Sequence, residues 1–162
     1  MRHAPAGKRD PEAWPDDDLR PVTAKGRRAF ARAARGIAAS ASAPGIILAS
    51  PALRALQTAH ILAEAAGRPS RRVIALPALH HAVPARTALA ALAALALPRS
   101  AAVVGHEPNL GELASLLLSG RTGARLPFRK GGACLIEADA AALGTGSLVW
   151  FLDPARLAGI RT

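Results

Sequence analysis

A chain of 162 residues with 51% apolar composition is neither disordered nor too small to bury a core unaided, so residues 1–162 are expected to form a single domain. Two Trp, three Phe and no Tyr leave that core to Leu, Ile, Val and Ala, and the single Cys134 excludes an internal disulfide and suits the reducing cytoplasm. The net charge of +10 comes from Arg scattered along nearly the whole chain, with almost no aromatics to stack on bases. This argues against nucleic acid as a partner and fits an anionic substrate or an acidic protein.

In chain order, no charged-then-apolar leader precedes the Pro-, Asp- and Gly-rich segment from Pro5 to Pro21. Thr23 then caps a predicted helix through Arg28, Phe30 and Ala34. Gly45 to Ala49 is a short buried strand by composition, and Ser50-Pro51 restarts a helix to about Ala66, with Ser as N-cap and Pro in the first turn. Val73 to Leu76 is the next strand and Thr87 to Leu97 the next helix. The apolar run inside that helix, Ala88 to Leu97, is about half of the roughly 20 residues a membrane span needs, so no membrane partner is expected. Ala101 to Gly105 is a strand, followed by a helix from about Pro108 to Leu118. Cys134 to Glu137 and Ser147 to Phe151 close the chain as two strands able to pair in a hairpin. The alternation predicts an α/β fold of three layers, helices on both faces of a mostly parallel central sheet.

Such sheets bind ligands beyond the carboxyl ends of their strands. Three polar groups fall there: Arg2-His3, Arg54 early in the helix after one strand, and His106 directly after another. Two arginines and two histidines on one sheet edge suit a phosphoryl group, because guanidinium forks match its oxygens and a neutral imidazole can attack phosphorus. In Ser50-Pro51-Ala52-Leu53-Arg54-Ala55-Leu56-Gln57-Thr58 a capped surface helix accounts for Ser50 and Pro51 but is indifferent to Arg54, Gln57 and Thr58. In Val104-Gly105-His106-Glu107-Pro108-Asn109 the strand-to-helix turn needs Gly105 and Pro108, and has no need of His106. His80-His81 has no histidine at i+4 and no nearby cysteine, which argues against a metal site.

Taken in order, these segments resemble the histidine phosphatase superfamily, the phosphoglycerate mutase-like fold, whose signature is Arg-His-Gly, then Ser-Pro-x-x-Arg-x-x-Gln-Thr, then Gly-His. Arg20-Pro21-Val22-Thr23-Ala24-Lys25-Gly26, Gly105-His106-Glu107-Pro108-Asn109-Leu110 and Lys130-Gly131-Gly132-Ala133 are similar to the SixA-type phosphohistidine phosphatases. The resemblance implies that His3 is a nucleophile that becomes phosphorylated, that Arg2 and Arg54 hold the phosphoryl oxygens, and that His106 is a further donor to them. It implies that Arg20 and Asn109 border the pocket, that Lys130 either steers substrate or is simply solvated, and that no metal or other cofactor is needed. The implied substrate is phosphohistidine on a protein, such as a phosphotransfer domain of a bacterial signalling relay. The alternatives are a small phosphorylated substrate, or a non-catalytic module that holds a phosphorylated partner.

Two departures from the family pattern carry expectations of their own. Larger members place an acidic proton donor in the stretch matching Leu76 to Pro84, which here contains no Asp or Glu. Glu107 and His81 remain as candidate donors, and the weak P–N bond of a phosphoramidate makes phosphohistidine the favoured substrate. The family's Arg-His also follows an apolar strand, whereas here only Met1 precedes Arg2, so that strand is expected to be truncated, shortened, or supplied by residues outside this sequence. Unpaired ladder groups and a gap in the core are expected beside it.

Overall fold

In the computed structural model, which describes residues 1–69, 72–123 and 126–160, the first helix, α1 (Ala24–Ser40), follows from its spacing. Phe30, Ala33, Ala34 and Ile37 recur on one helical face and are all buried, and Thr23 Oγ1 accepts the Gly26 N–H at 2.9 Å as N-cap. Gly26 has a second duty, since a Cβ there would lie 2.1 Å from the Pro5 carbonyl oxygen. Only glycine lets the loop after His3 pack so close.

The chain continues through β1 (Ile46–Ala49), α2 (Leu53–Ala65), β2 (Val73–Ala75), α3 (Ala85–Ala93), β3 (Ala101–Val104), α4 (Asn109–Ser119), β4 (Ala133–Ala138), β5 (Gly146–Leu152) and α5 (Pro154–Gly159). β2, β1 and β3 form a parallel sheet in that order, with Leu48 paired to Ile74 on one side and Val103 on the other. β4 and β5 pair antiparallel, as the hairpin pattern predicts. The three layers are legible in β1 alone. Ile47 and Ala49 join a core with Phe30, Ile37, Leu62 and Leu157, while Leu48 joins another with Leu89, Leu92, Leu113 and Leu116. A strand buried on both faces alternates between two cores. None of the described helices is long and apolar enough to cross a membrane.

Three elements differ from the sequence reading. α2 begins at Leu53, and Ser50 does not cap it, because its hydroxyl is turned to His106 Nε2 at 2.9 Å. α3 starts after Pro84, which stands at its N-cap with φ −58° and an extended ψ of 145°, and stops short of Pro98, which cannot continue a helix. α5 is additional, with the Asp153 carboxylate accepting both the Ala155 and Arg156 N–H groups at 2.9 Å.

Met1 to His3 run parallel to the end of β3. The Met1 ammonium donates to Val103 O, Gly105 N–H donates to Met1 O and His3 N–H to Gly105 O. On the other side Arg2 N–H donates to Gly132 O at 3.0 Å, so this short segment joins the parallel sheet to the hairpin at one end only. Below it a cavity of about 200 Å³ opens between β3 and β4, bordered by Ala101, Ala102, Cys134, Leu135 and Trp150. A gap in the core beside Met1 is what the sequence predicts.

Candidate active site

The site lies past the carboxyl ends of β1 and β3, where the N-terminal segment runs alongside the end of β3. His3 and His106 are each 5% exposed, and their ring centroids are 5.0 Å apart. His3 Nδ1 lies 2.7 Å from the Ala4 carbonyl, and a carbonyl can only accept, so Nδ1 carries the proton and Nε2 keeps its lone pair. Burial holds the His3 imidazole down at about 4 against the Ala4 hydrogen bond, with the Arg54, Arg2 and Lys130 charges assisting. Burial, together with His3 and Arg54, holds His106 down at about 3. Both rings are therefore neutral at pH 7. Ser50 Oγ accepts from Ala52 N–H at 3.4 Å and meets His106 Nε2 at 2.9 Å. If its hydroxyl proton goes to Nε2, His106 is left with an N–H at Nδ1.

The two arginines are placed by backbone. Arg2 Nη1 donates to Phe128 O at 2.8 Å, and Arg54, near the start of α2 and 4% exposed, donates through Nη1 to Asp17 O at 2.7 Å. Arg54 Nη2 also meets Asp17 Oδ2 at 3.2 Å. Each guanidinium retains a buried Nε–H with no partner among the described residues. A buried N–H without an acceptor costs about 1–3 kcal/mol, and these two, on arginines whose charges reach His3, are donors of the kind that suits an oxyanion.

Arg20 and Asn109 are placed differently from the two arginines. Arg20 is engaged by Asp17 through Nε at 2.9 Å and by the Gly7 carbonyl through Nη1 at 2.7 Å. Asn109 Nδ2 donates to the carbonyls of His81 at 2.9 Å and Val83 at 2.5 Å. Its side chain thus fixes the loop at the pocket's mouth. Lys130 is exposed, and its charge reaches His3.

Several supporting residues had no site role assigned from the sequence. Thr58 Oγ1 accepts the Ala4 N–H at 2.9 Å and donates to Arg54 O at 2.6 Å, linking the backbones that carry His3 and Arg54. Gln57 Oε1 accepts Val22 N–H at 2.8 Å. Asp17 ties Arg20 to Arg54, and those arginine contacts hold its carboxyl below the usual range. Asp18 joins His80 and His81 at the mouth: His80 Nε2 lies 2.6 Å from Asp18 Oδ2, and His81 Nδ1 3.7 Å from Oδ1. No spacing rule links residues so far apart in sequence.

These three donor atoms lie within 4.8 Å of one another, the reach of a metal site. The hydrogen bonds oppose that use. Ala82 N–H donates to His80 Nδ1 at 3.2 Å, so the neutral ring holds its proton on Nε2, the atom a metal would need bare.

No protein-family model matches the chain. An uncharacterized protein of Picosynechococcus sp. is 34% identical over 141 residues, spanning 87% of this chain and 84% of that protein. Among solved structures, the protein histidine phosphatase SixA complexed with tungstate superposes with a TM-score of 0.81 at 27% identity, over 97% of this chain and 96% of that one. A protein of Agrobacterium tumefaciens described as phosphohistidine phosphatase SixA gives a TM-score of 0.77 at 24% identity over 95% of both chains, which bears on the fold alone.

Proposed function

The chain belongs to the histidine phosphatase superfamily, and from that premise we propose that it hydrolyses phosphohistidine on a protein through a phosphoryl intermediate on His3. The observation that carries this is the neutral His3 imidazole, its Nε2 lone pair free, buried beside His106 and two guanidinium groups with unspent N–H donors. His3 Nε2 attacks phosphorus, while Arg2, Arg54 and the His106 N–H neutralise charge growing on the non-bridging oxygens. Water then attacks the phosphoryl group on His3 and returns the free imidazole.

The choice of phosphohistidine over a phosphoester rests on the carboxylates near the pocket. Asp17 is held ionised by Arg20 and Arg54, and Asp18 accepts the His80 N–H, so neither is set up as a carboxylic acid. A phosphoramidate leaving group needs such an acid less than an alkoxide does. The net charge of +10 suits an acidic protein partner.

Turnover of a phosphohistidine-bearing phosphotransfer protein and of para-nitrophenyl phosphate by wild type and His3→Ala tests the reading. Wild type is expected to prefer the phosphoprotein, with His3→Ala losing both activities. Equal turnover by the two proteins would remove His3 as nucleophile, and preference for the ester would reassign the substrate to small phosphoesters.

A further inference from the structure

We propose that His81 is the proton donor of this site, giving a proton from Nε2 to the leaving group and taking one back from the attacking water. The inference rests on the phosphatase reading above and adds the missing acid to it.

Four observations carry it. First, the His81 and His106 ring centroids are 5.6 Å apart and nearly perpendicular, and His106 lies 5.0 Å from His3. His81 thus neighbours the ring that neighbours the nucleophile, and it is the most exposed of the three. Second, its backbone is fixed, because Asn109 Nδ2 holds the His81 and Val83 carbonyls. Third, its ring is oriented by Asp18. The proton on His80 Nε2 directs His80 to Asp18 Oδ2, which leaves Oδ1 facing His81 Nδ1 at 3.7 Å. Asp18 Oδ1 is shielded from solvent and has no hydrogen bond among the described residues. A protonated Nδ1 is the group it lacks, and it leaves Nε2 as the nitrogen that exchanges protons. Fourth, the His81 side chain is 43% exposed, so the water that attacks in the second step can reach it.

The rival donor is differently engaged. Glu107 accepts from the Phe128 and Gly111 amides, and sits beneath the first turn of α4. Burial and the neighbouring His80 lower the proton affinity of His81 while Asp18 opposes them. A phosphoryl dianion entering the site adds its charge on the side of Asp18.

The protons balance. In the first step the His3 Nε2–P bond forms and the bond from phosphorus to the leaving nitrogen or oxygen breaks. The leaving atom takes the electron pair and the proton from His81 Nε2. In the second, neutral His81 removes a proton from water as its oxygen bonds to phosphorus, and the P–Nε2 electron pair returns to His3.

The test is leaving-group dependence, read as kcat/KM because that ratio stops at transfer to His3. Wild type, His81→Gln and Glu107→Gln are compared on dinitrophenyl, para-nitrophenyl and phenyl phosphates. His81→Gln is expected to lose about 100-fold on phenyl phosphate and less than about twofold on dinitrophenyl phosphate, whose anion leaves unaided. Glu107→Gln should show no such slope, and Asp18→Asn should show a shallower one, since it acts through the His81 ring. Equal losses on all three esters, or none, would overturn the assignment while leaving the phosphatase reading intact. Failure of dinitrophenyl phosphate to label His3 in wild type would take down both.

Discussion

Because His3 is neutral in the fold down to about pH 4 and has an ordinary pKa near 6.5 in the unfolded chain, acid should unfold this protein through the proposed nucleophile. The sign follows from proton counting. Between pH 6.5 and 4 the unfolded state binds a proton at His3 that the folded state refuses, so stability is complete above 6.5 and falls with pH through that window. At about 1.4 kcal/mol per pH unit the loss approaches about 3 kcal/mol by pH 4. That is a large part of a normal domain's stability. His106, held down at about 3, acts in the same direction, as does the Met1 ammonium, whose proton affinity burial lowers. Glu107 is raised and acts oppositely just above its ordinary pKa, while Asp17 loses its contribution only below the ordinary aspartate value. His3→Gln isolates the one group, since Gln carries no charge at any of these pH values. Urea unfolding of wild type and His3→Gln at several points from pH 7.5 to 4.5 should show wild type losing ground steadily to the variant as pH falls. Parallel pH dependences for the two proteins would refute the buried, neutral His3.

Three further outcomes follow from the contacts around that group. Asp17→Asn removes the carboxylate that meets Arg54 Nη2, and should tighten competitive inhibition by inorganic phosphate about fivefold, as expected for a pair worth about 1 kcal/mol. Thr58→Val keeps the shape but strands the buried Ala4 N–H. Differential scanning calorimetry should show a fall of roughly 4–8 °C for a loss of about 2 kcal/mol, together with a drop in kcat/KM. Adding Val-Ile-Leu-Val before Met1 should raise the melting temperature above that of a Ser-Asn-Ser-Asn extension. The apolar residues can lie along β3 and fill a cavity of about 200 Å³, at roughly 1.5–3 kcal/mol for each side chain that becomes buried.

Much of the scaffold was legible because its causes are local. The run Ile46 to Ala49 is apolar at every position, as a strand between two helical layers must be, and its side chains do divide between two cores. Thr23 three residues before Gly26 is a cap whatever surrounds it. His106 could be separated from its turn because Gly105 and Pro108 already explain the turn. Ser50 shows the limit. As a residue before Pro it reads as an N-cap, but a histidine 56 residues away claims its hydroxyl, so the helix starts later. α5 was missed although Asp153-Pro154 is itself a start signal, since it follows a strand with no loop between them.

The mouth of the pocket was illegible for a related reason. Asp16-Asp17-Asp18 is part of the Pro-, Asp- and Gly-rich segment before the first helix, and His80-His81 reads as a pair without a metal-binding repeat. Folding separates Asp17 from Asp18 in role. Asp17 turns inward to Arg54, 37 residues on, and Asp18 turns to His80, 62 residues on. Asn109 lies in the motif that carries His106, yet its side chain is used on the carbonyls of His81 and Val83. A motif therefore locates the phosphoryl-binding corner, whose parts are chosen by the chemistry of phosphorus. The mouth is chosen by what leaves, and residues that answer to the leaving group have no reason to lie near the motif. With the roles proposed above, substrate preference in this chain should respond to Asp18, His80 and His81 before it responds to Arg2 or Arg54, the proposed ligands of any phosphoryl group.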